Sequence, residues 1–188
     1  TADKPYKPNG GIKFISGDIA EGLIKVSALK NENETISAPV RVFLTQDEVL
    51  DSYERDELNQ DMILVLLGQS PSINGMPELH KLTSPINVLQ TRGYKIALIT
   101  DGRMSGASGS FPALIHAVSE NNNLYKIRTG DILTLDLKEC ILTIDSNEYQ
   151  KRAAIEITPS NIGLGRELFK IFRDNVSSVK LGATIFHD

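Results

Sequence analysis

A chain of 188 residues, 40% hydrophobic and 23% charged, is long enough to bury one substantial core, and nothing in its composition divides it in two. A net charge of -4 and a pI near 5.4, with Lys and Arg scattered, exclude the clustered basic surface that nucleic-acid phosphates need. The lone Cys140 excludes an intramolecular disulfide and, by itself, a structural zinc or iron–sulfur site, and no apolar run approaches the roughly 20 residues that cross a bilayer, so an intracellular, cytoplasmic protein with neither nucleic acid nor membrane as partner is expected.

Residues 1–10 lack an initiator Met and are rich in Pro and Gly, so they read as a linker cut from something longer, with the domain occupying 11–188. Segments 11–16, 22–29 and 37–44 are short, rich in Ile or Val and punctuated by Gly or Asn, as strands are. The period then changes. Thr45-Gln-Asp-Glu48 fits a capping box and predicts a helix to about residue 58. Residues 62–67 form a continuous apolar run, the pattern of a strand buried on both faces.

Residues 69–77 form a loop by composition. Ser84-Pro85 then offers a cap and a first-position proline for a helix that Gly93 would close. A strand over 95–100 leads into a glycine and hydroxyl loop at 101–110, and the sequence predicts a helix over 111–120, stopped by Asn121-Asn-Asn123. Strands at 127–137 and 140–145, joined at Lys138-Glu139, and a closing helix over 164–175 complete the chain. Gly-Asp-Ile recurs at 17–19 and 130–132, which is too little for a repeat. The order predicts an α/β fold: a mixed, β-barrel-like sheet flanked by helices, parallel in its middle portion and antiparallel towards its ends. The loops after residues 67 and 100 leave the carboxyl ends of strands, where such sheets bind ligands.

The loop at 101–110 is therefore the candidate site. Gly102, Gly106 and Gly109 free the backbone for positive φ or close approach, and Ser105, Ser108 and Ser110 add hydroxyls. Each serine read alone also fits an N-cap for the helix expected after the loop. The glycine spacing matches neither the phosphate loop of nucleotide hydrolases nor the dinucleotide fingerprint. Asp101 and Arg103 flank Gly102 and can pair with each other, hold the turn or contact an acidic ligand. Arg103 suits a carboxylate or phosphate through its guanidinium fork. Glu78, just after the Gly75-Met-Pro77 turn, is either a first-turn residue favoured by a helix dipole or a ligand for a hard cation such as Mg2+. His80 and His116 have no partner at metal-ligand spacing.

Three segments carry a resemblance: Asn74-Gly-Met-Pro-Glu-Leu-His-Lys-Leu-Thr83, Thr100-Asp-Gly-Arg-Met-Ser-Gly-Ala-Ser-Gly109 and Gly163-Leu-Gly-Arg-Glu-Leu-Phe169. Together they resemble the C-terminal part of the dehydratase family that contains dihydroxyacid and 6-phosphogluconate dehydratases, with Glu-Leu-His-Lys-Leu-Thr and Arg-Met-Ser-Gly-Ala-Ser similar to the phosphogluconate branch. The resemblance implies a swivelling β/β/α domain and a hydro-lyase of the Entner–Doudoroff route, converting 6-phosphogluconate to 2-keto-3-deoxy-6-phosphogluconate. It implies Ser105 as catalytic base acting as an alkoxide, Glu78 as Mg2+ ligand, and Asp101, Gly102, Arg103, Gly106 and Ser108 as substrate contacts. It also implies an iron–sulfur cluster held by an N-terminal domain absent from this chain, an inactive fragment in isolation, and a homodimer at full length. Two other readings stand beside it: a non-catalytic module binding a sugar acid or phosphate, and a dehydratase of another dihydroxyacid or sugar acid.

Overall fold

The two most apolar stretches of the chain become adjacent parallel strands at the middle of one sheet. A computed structural model of the chain describes residues 3–5, 10–31, 34–105, 110–146, 148–159, 162, 163 and 165–186. Its strands are β1 (Ile12–Ile15), β2 (Glu21–Lys25), β3 (Thr35–Phe43), β4 (Met62–Leu66), β5 (Ile96–Thr100), β6 (Ala113–Val118), β7 (Ile132–Asp136) and β8 (Ile141–Ile144). They form an eight-stranded sheet in the order β1-β2-β6-β5-β4-β3-β7-β8. The four central strands pair in parallel, and the outer pairs are antiparallel.

The sheet curls until its two ends meet. The Ser16 N–H donates to the Cys140 carbonyl at 3.1 Å and the Leu142 N–H to the Ser16 carbonyl at 3.0 Å. This short parallel bridge from the end of β1 to the start of β8 nearly closes a barrel. The expected α/β, barrel-like mixed sheet is thus the observed one.

Alternation along β4 and β5 divides the apolar residues between two cores. Ile63, Val65, Leu67, Ala97 and Ile99 point into the barrel, where they meet Ile15, Ile24, Val40, Leu114 and Leu133 from the other strands. Met62, Leu64, Leu66, Ile96 and Leu98 point outwards and are covered by Val49, Leu82, Ile86 and Leu89 from the helices. Burial on both faces is why these strands read as unbroken apolar runs rather than as alternating ones.

Helix α1 (Gln46–Glu54) opens with the expected capping box: the Thr45 hydroxyl accepts the Glu48 N–H at 3.1 Å, and the Glu48 carboxylate accepts the N–H groups of Leu44 and Thr45. A one-turn helix α2 (Pro71–Asn74) lies within the expected loop, ending at Gly75 in the left-handed region. In α3 (Thr83–Thr91) the cap is Leu82, so Pro85 falls at the third position rather than the first, still within the turn where an N–H has no intrahelical acceptor.

Two expected helices differ. The segment 111–120 contains strand β6, and the last helix, α4, covers only Lys170–Asn175. The β6 mismatch has a definite cause. Between Ile115 and Val118 the strand advances three residues while β2 advances two, from Leu23 to Glu21, so β6 carries a bulge. His116 sits in it with φ 54°, and Leu114 and Ala117, three apart, both face the barrel interior. A bulged strand has counterfeited the spacing of a helix.

Candidate functional site

The loops after β4 and β5 leave the same end of the sheet and are tied together by Asp101. Its carboxylate, 3% exposed, accepts the N–H groups of Gly68 at 3.2 Å, Gln69 at 2.9 Å and Ser70 at 3.2 Å, and the Tyr125 hydroxyl at 2.7 Å. Burial pushes the Asp101 carboxyl up, against the pull of Tyr125 and the three backbone donors. Burial and the Asp101 charge in turn push the Tyr125 phenol up. Gln69, also buried, donates its amide to the carbonyls of Leu44 and Leu67 and accepts from Asn74 at 3.0 Å. Asp101 is directed into the protein and sets the course of both loops.

Gly102 keeps a negative φ, so its glycine serves close approach rather than a left-handed turn. A Cβ there would lie 2.7 Å from the Gln69 Cβ and 3.2 Å from the Leu79 Cδ1. Its N–H donates to the Thr100 hydroxyl at 3.0 Å, and its carbonyl accepts the His116 N–H at 2.8 Å.

Arg103 does not pair with Asp101. Its Nη1 lies 3.2 Å from the Glu78 Oε2, its Nε donates to the Met76 carbonyl at 2.9 Å, and the two backbones form an isolated parallel bridge. Glu78 is accordingly in extended backbone ahead of a 3₁₀ turn at His80–Leu82, not in the first turn of a helix. Its other oxygen, Oε1, accepts the Ser105 N–H at 2.5 Å. One carboxylate therefore joins an arginine and the serine loop on the exposed side of the same linkage that buries Asp101. Gly106 and Ser108 lie outside the described residues.

Two groups near this cluster do not stand out as site residues in the sequence. Half-buried His116 is held below the usual imidazole range by burial and by the Arg103 charge. Its backbone bond to Gly102, made from a bulge, has no local sequence signature. Arg166 hydrogen-bonds the Asn74 side chain, bringing the 163–169 segment to the 74–78 loop. Asn74 and Arg166 both lie in segments that carry the family resemblance, and that is the signal that points to them.

Glu78 suits a hard cation as a single ligand: it is a carboxylate, its side chain is 26% exposed, and each of its oxygens retains acceptor capacity beyond its one partner. Among the described residues no group of three or more His, Cys, Asp or Glu converges, so other ligands would have to come from substrate, water or another segment. An iron–sulfur cluster does not fit this chain. Cys140, its only cysteine, sits half-buried in the β7–β8 turn with its thiol against the Leu137 carbonyl. Among the described residues no helix is long and apolar enough to cross a membrane.

Comparison with known proteins places these features in a wider set. The family model described as dihydroxy-acid/6-phosphogluconate dehydratase, C-terminal, matches residues 1–183. The chain is 43% identical to a phosphogluconate dehydratase of Pseudomonas aeruginosa over 98% of its own length and 31% of that protein. It is 42% identical to one of Helicobacter pylori, over 97% of its length and 32% of that protein. With a dihydroxy-acid dehydratase of Caldicellulosiruptor bescii the identity is 28% over 84% of the chain. The chain thus spans about a third of the length of the curated relatives it matches.

Proposed function

The chain belongs to the dihydroxy-acid/6-phosphogluconate dehydratase C-terminal family, and from that premise we propose that it is the C-terminal domain of a cytoplasmic phosphogluconate dehydratase. The domain, taken as 11–188 after a linker at 1–10, supplies part of an active site that the N-terminal part of the same protein completes. The reaction removes water from 6-phosphogluconate to give 2-keto-3-deoxy-6-phosphogluconate, a hydro-lyase step of the Entner–Doudoroff route. The observation that carries this reading is the convergence of Glu78, Arg103 and the Ser105 N–H where the β4 and β5 loops meet.

Ser105 is assigned the base that takes the C2 proton. The C2–H electron pair forms the C2–C3 double bond, the C3 hydroxyl leaves and is protonated to water, and the enol tautomerises to the 2-keto acid. Glu78 fixes the Ser105 backbone, while Arg103 at the rim attracts the substrate's carboxylate or phosphate. Gly102, Gly106 and Ser108 are assigned as further substrate contacts on the family resemblance alone, and Asp101 ties the start of their loop to the loop after β4. A serine is too weak an acid to lose its proton unaided, and the Arg103 charge is partly spent on Glu78. A divalent cation such as Mg2+, held by Glu78 with water and substrate oxygens, supplies positive charge when bound. The iron–sulfur cluster belongs to the N-terminal part, and the full-length protein is proposed to be a homodimer.

The test is turnover by the full-length protein. It should form a 2-keto acid from 6-phosphogluconate, and Ser105→Ala should lower kcat by at least about 10²–10⁴-fold, the usual worth of a general base. Near-native turnover by that variant would remove Ser105 as base. Preference for a branched dihydroxyacid over the phosphorylated sugar acid would overturn the substrate.

A further inference from the structure

The C-terminal segment is built inside out. In α4 the residue turned inwards is Arg173, 8% exposed, whereas Ile171 is 66% and Phe172 45% exposed. Leu168, Phe169, Leu181 and Phe186 continue the pattern at 72%, 54%, 73% and 85%. Helices of soluble proteins bury the opposite set, because an exposed apolar side chain forgoes the free energy of its transfer out of water. Scattered exposed leucines need no explanation, but six such side chains within 168–186 do.

The face extends beyond this segment. Residues Val179, Lys180, Gly182 and Ala183 form one wall of a cavity of about 450 Å³, and Phe14 and Leu23, on β1 and β2, form part of the other. Phe14 is 55% and Leu23 40% exposed. Met76 and His116 line the same cavity, and the Met76 carbonyl is the acceptor for Arg103. The Arg166 bond to Asn74 anchors the near end of the segment beside that loop. The C-terminal segment therefore meets β1 and β2 at this cavity, whose lining combines apolar side chains with the Glu21–Lys180 ion pair and reaches Met76 at the edge of the candidate site.

We propose that this face, formed by residues 168–186 with Phe14 and Leu23, is the surface on which the N-terminal part of the full-length enzyme docks. The inference rests on reading the chain as the C-terminal domain of a longer dehydratase. About two thirds of the length of its relatives lies outside it. Among the described residues no group of three or more His, Cys, Asp or Glu converges at the candidate site, and the cavity bordering this face reaches Met76, whose carbonyl is the Arg103 acceptor. A polypeptide that completes the site from this side has to lie against the face.

The experiment uses full-length enzyme carrying a photo-crosslinking benzoylphenylalanine in place of Phe172 or, separately, Phe14, prepared as a mixture of light and heavy isotopic forms. The expected products are crosslinks within one chain to peptides preceding this domain, carrying a single isotopic label. Mixed-label products would assign the face to the second copy and overturn the proposal, as would the absence of crosslinks at both positions. The readout does not involve turnover. If Ser105→Ala stays active while the crosslinks form, the docking surface stands and the base assignment fails; the reverse pattern leaves the base and removes the surface.

Discussion

Arg103 stands between an anion and an imidazole, and this sets a measurable pH response. His116 is held below its ordinary value of 6.5, chiefly by burial and then by the Arg103 charge. A histidine with a depressed folded pKa prefers the neutral form, so its contribution to stability is present above the unfolded value and lost as pH falls through the folded one. In Arg103→Gln the charge disappears and the burial remains. The His116 pKa should rise yet stay under 6.5, so the pH range over which that stability is lost narrows and the loss becomes smaller. Titration of the imidazole Cε1–H by NMR checks this, and an unchanged or lowered value would show that the Arg103 charge does not reach the ring. The left-handed backbone of His116 makes the position more informative, since a non-glycine residue held there costs about 1–3 kcal/mol and such strain concentrates at functional sites.

Legibility from sequence differed from element to element for physical reasons. Thr45 and Glu48 announced α1 because a capping box is a local device, complete within four consecutive residues. Its worth is testable: Thr45→Ala should lower stability by about 1 kcal/mol in urea unfolding, and Thr45→Ser should recover most of the loss. Equal midpoints for Thr45→Ala and the parent would mean that the Glu48 carboxylate alone satisfies the turn. Strands β4 and β5 were legible because burial on both faces leaves no polar position in the run. Strand β6 was not, since the bulge at His116 put Leu114 and Ala117 on one face at helical spacing, and only the pairing with β2 distinguishes the two. In the site, Glu78 and Ser105 were visible as residue types in loops after strands. The partner of Arg103 was not, because a choice between Asp101 and Glu78 depends on which carboxylate the fold buries.

At the scale of the whole molecule the barrel closes through a seam that is, among the described residues, two backbone hydrogen bonds wide, between Ser16 and the residues Cys140 and Leu142. Gly17 makes that seam possible. A Cβ at this position would fall 2.1 Å from the Leu142 carbonyl oxygen, a backbone atom that cannot rotate away. Gly17→Ala should therefore push β8 off the end of β1 and cost about 1–3 kcal/mol, the usual penalty for overpacking. The loss should be local before it is global. Hydrogen exchange should accelerate at the Ser16 and Leu142 amides, while the amides shared by β4 and β5 keep their protection, because those strands are buried on both faces and do not rely on closure. Loss of protection throughout the sheet would instead make the seam part of one cooperative unit with the central strands. Unchanged exchange and an unchanged denaturation midpoint would mean that the added Cβ is accommodated without opening the seam, and that Gly17 is not what permits the close approach to Leu142.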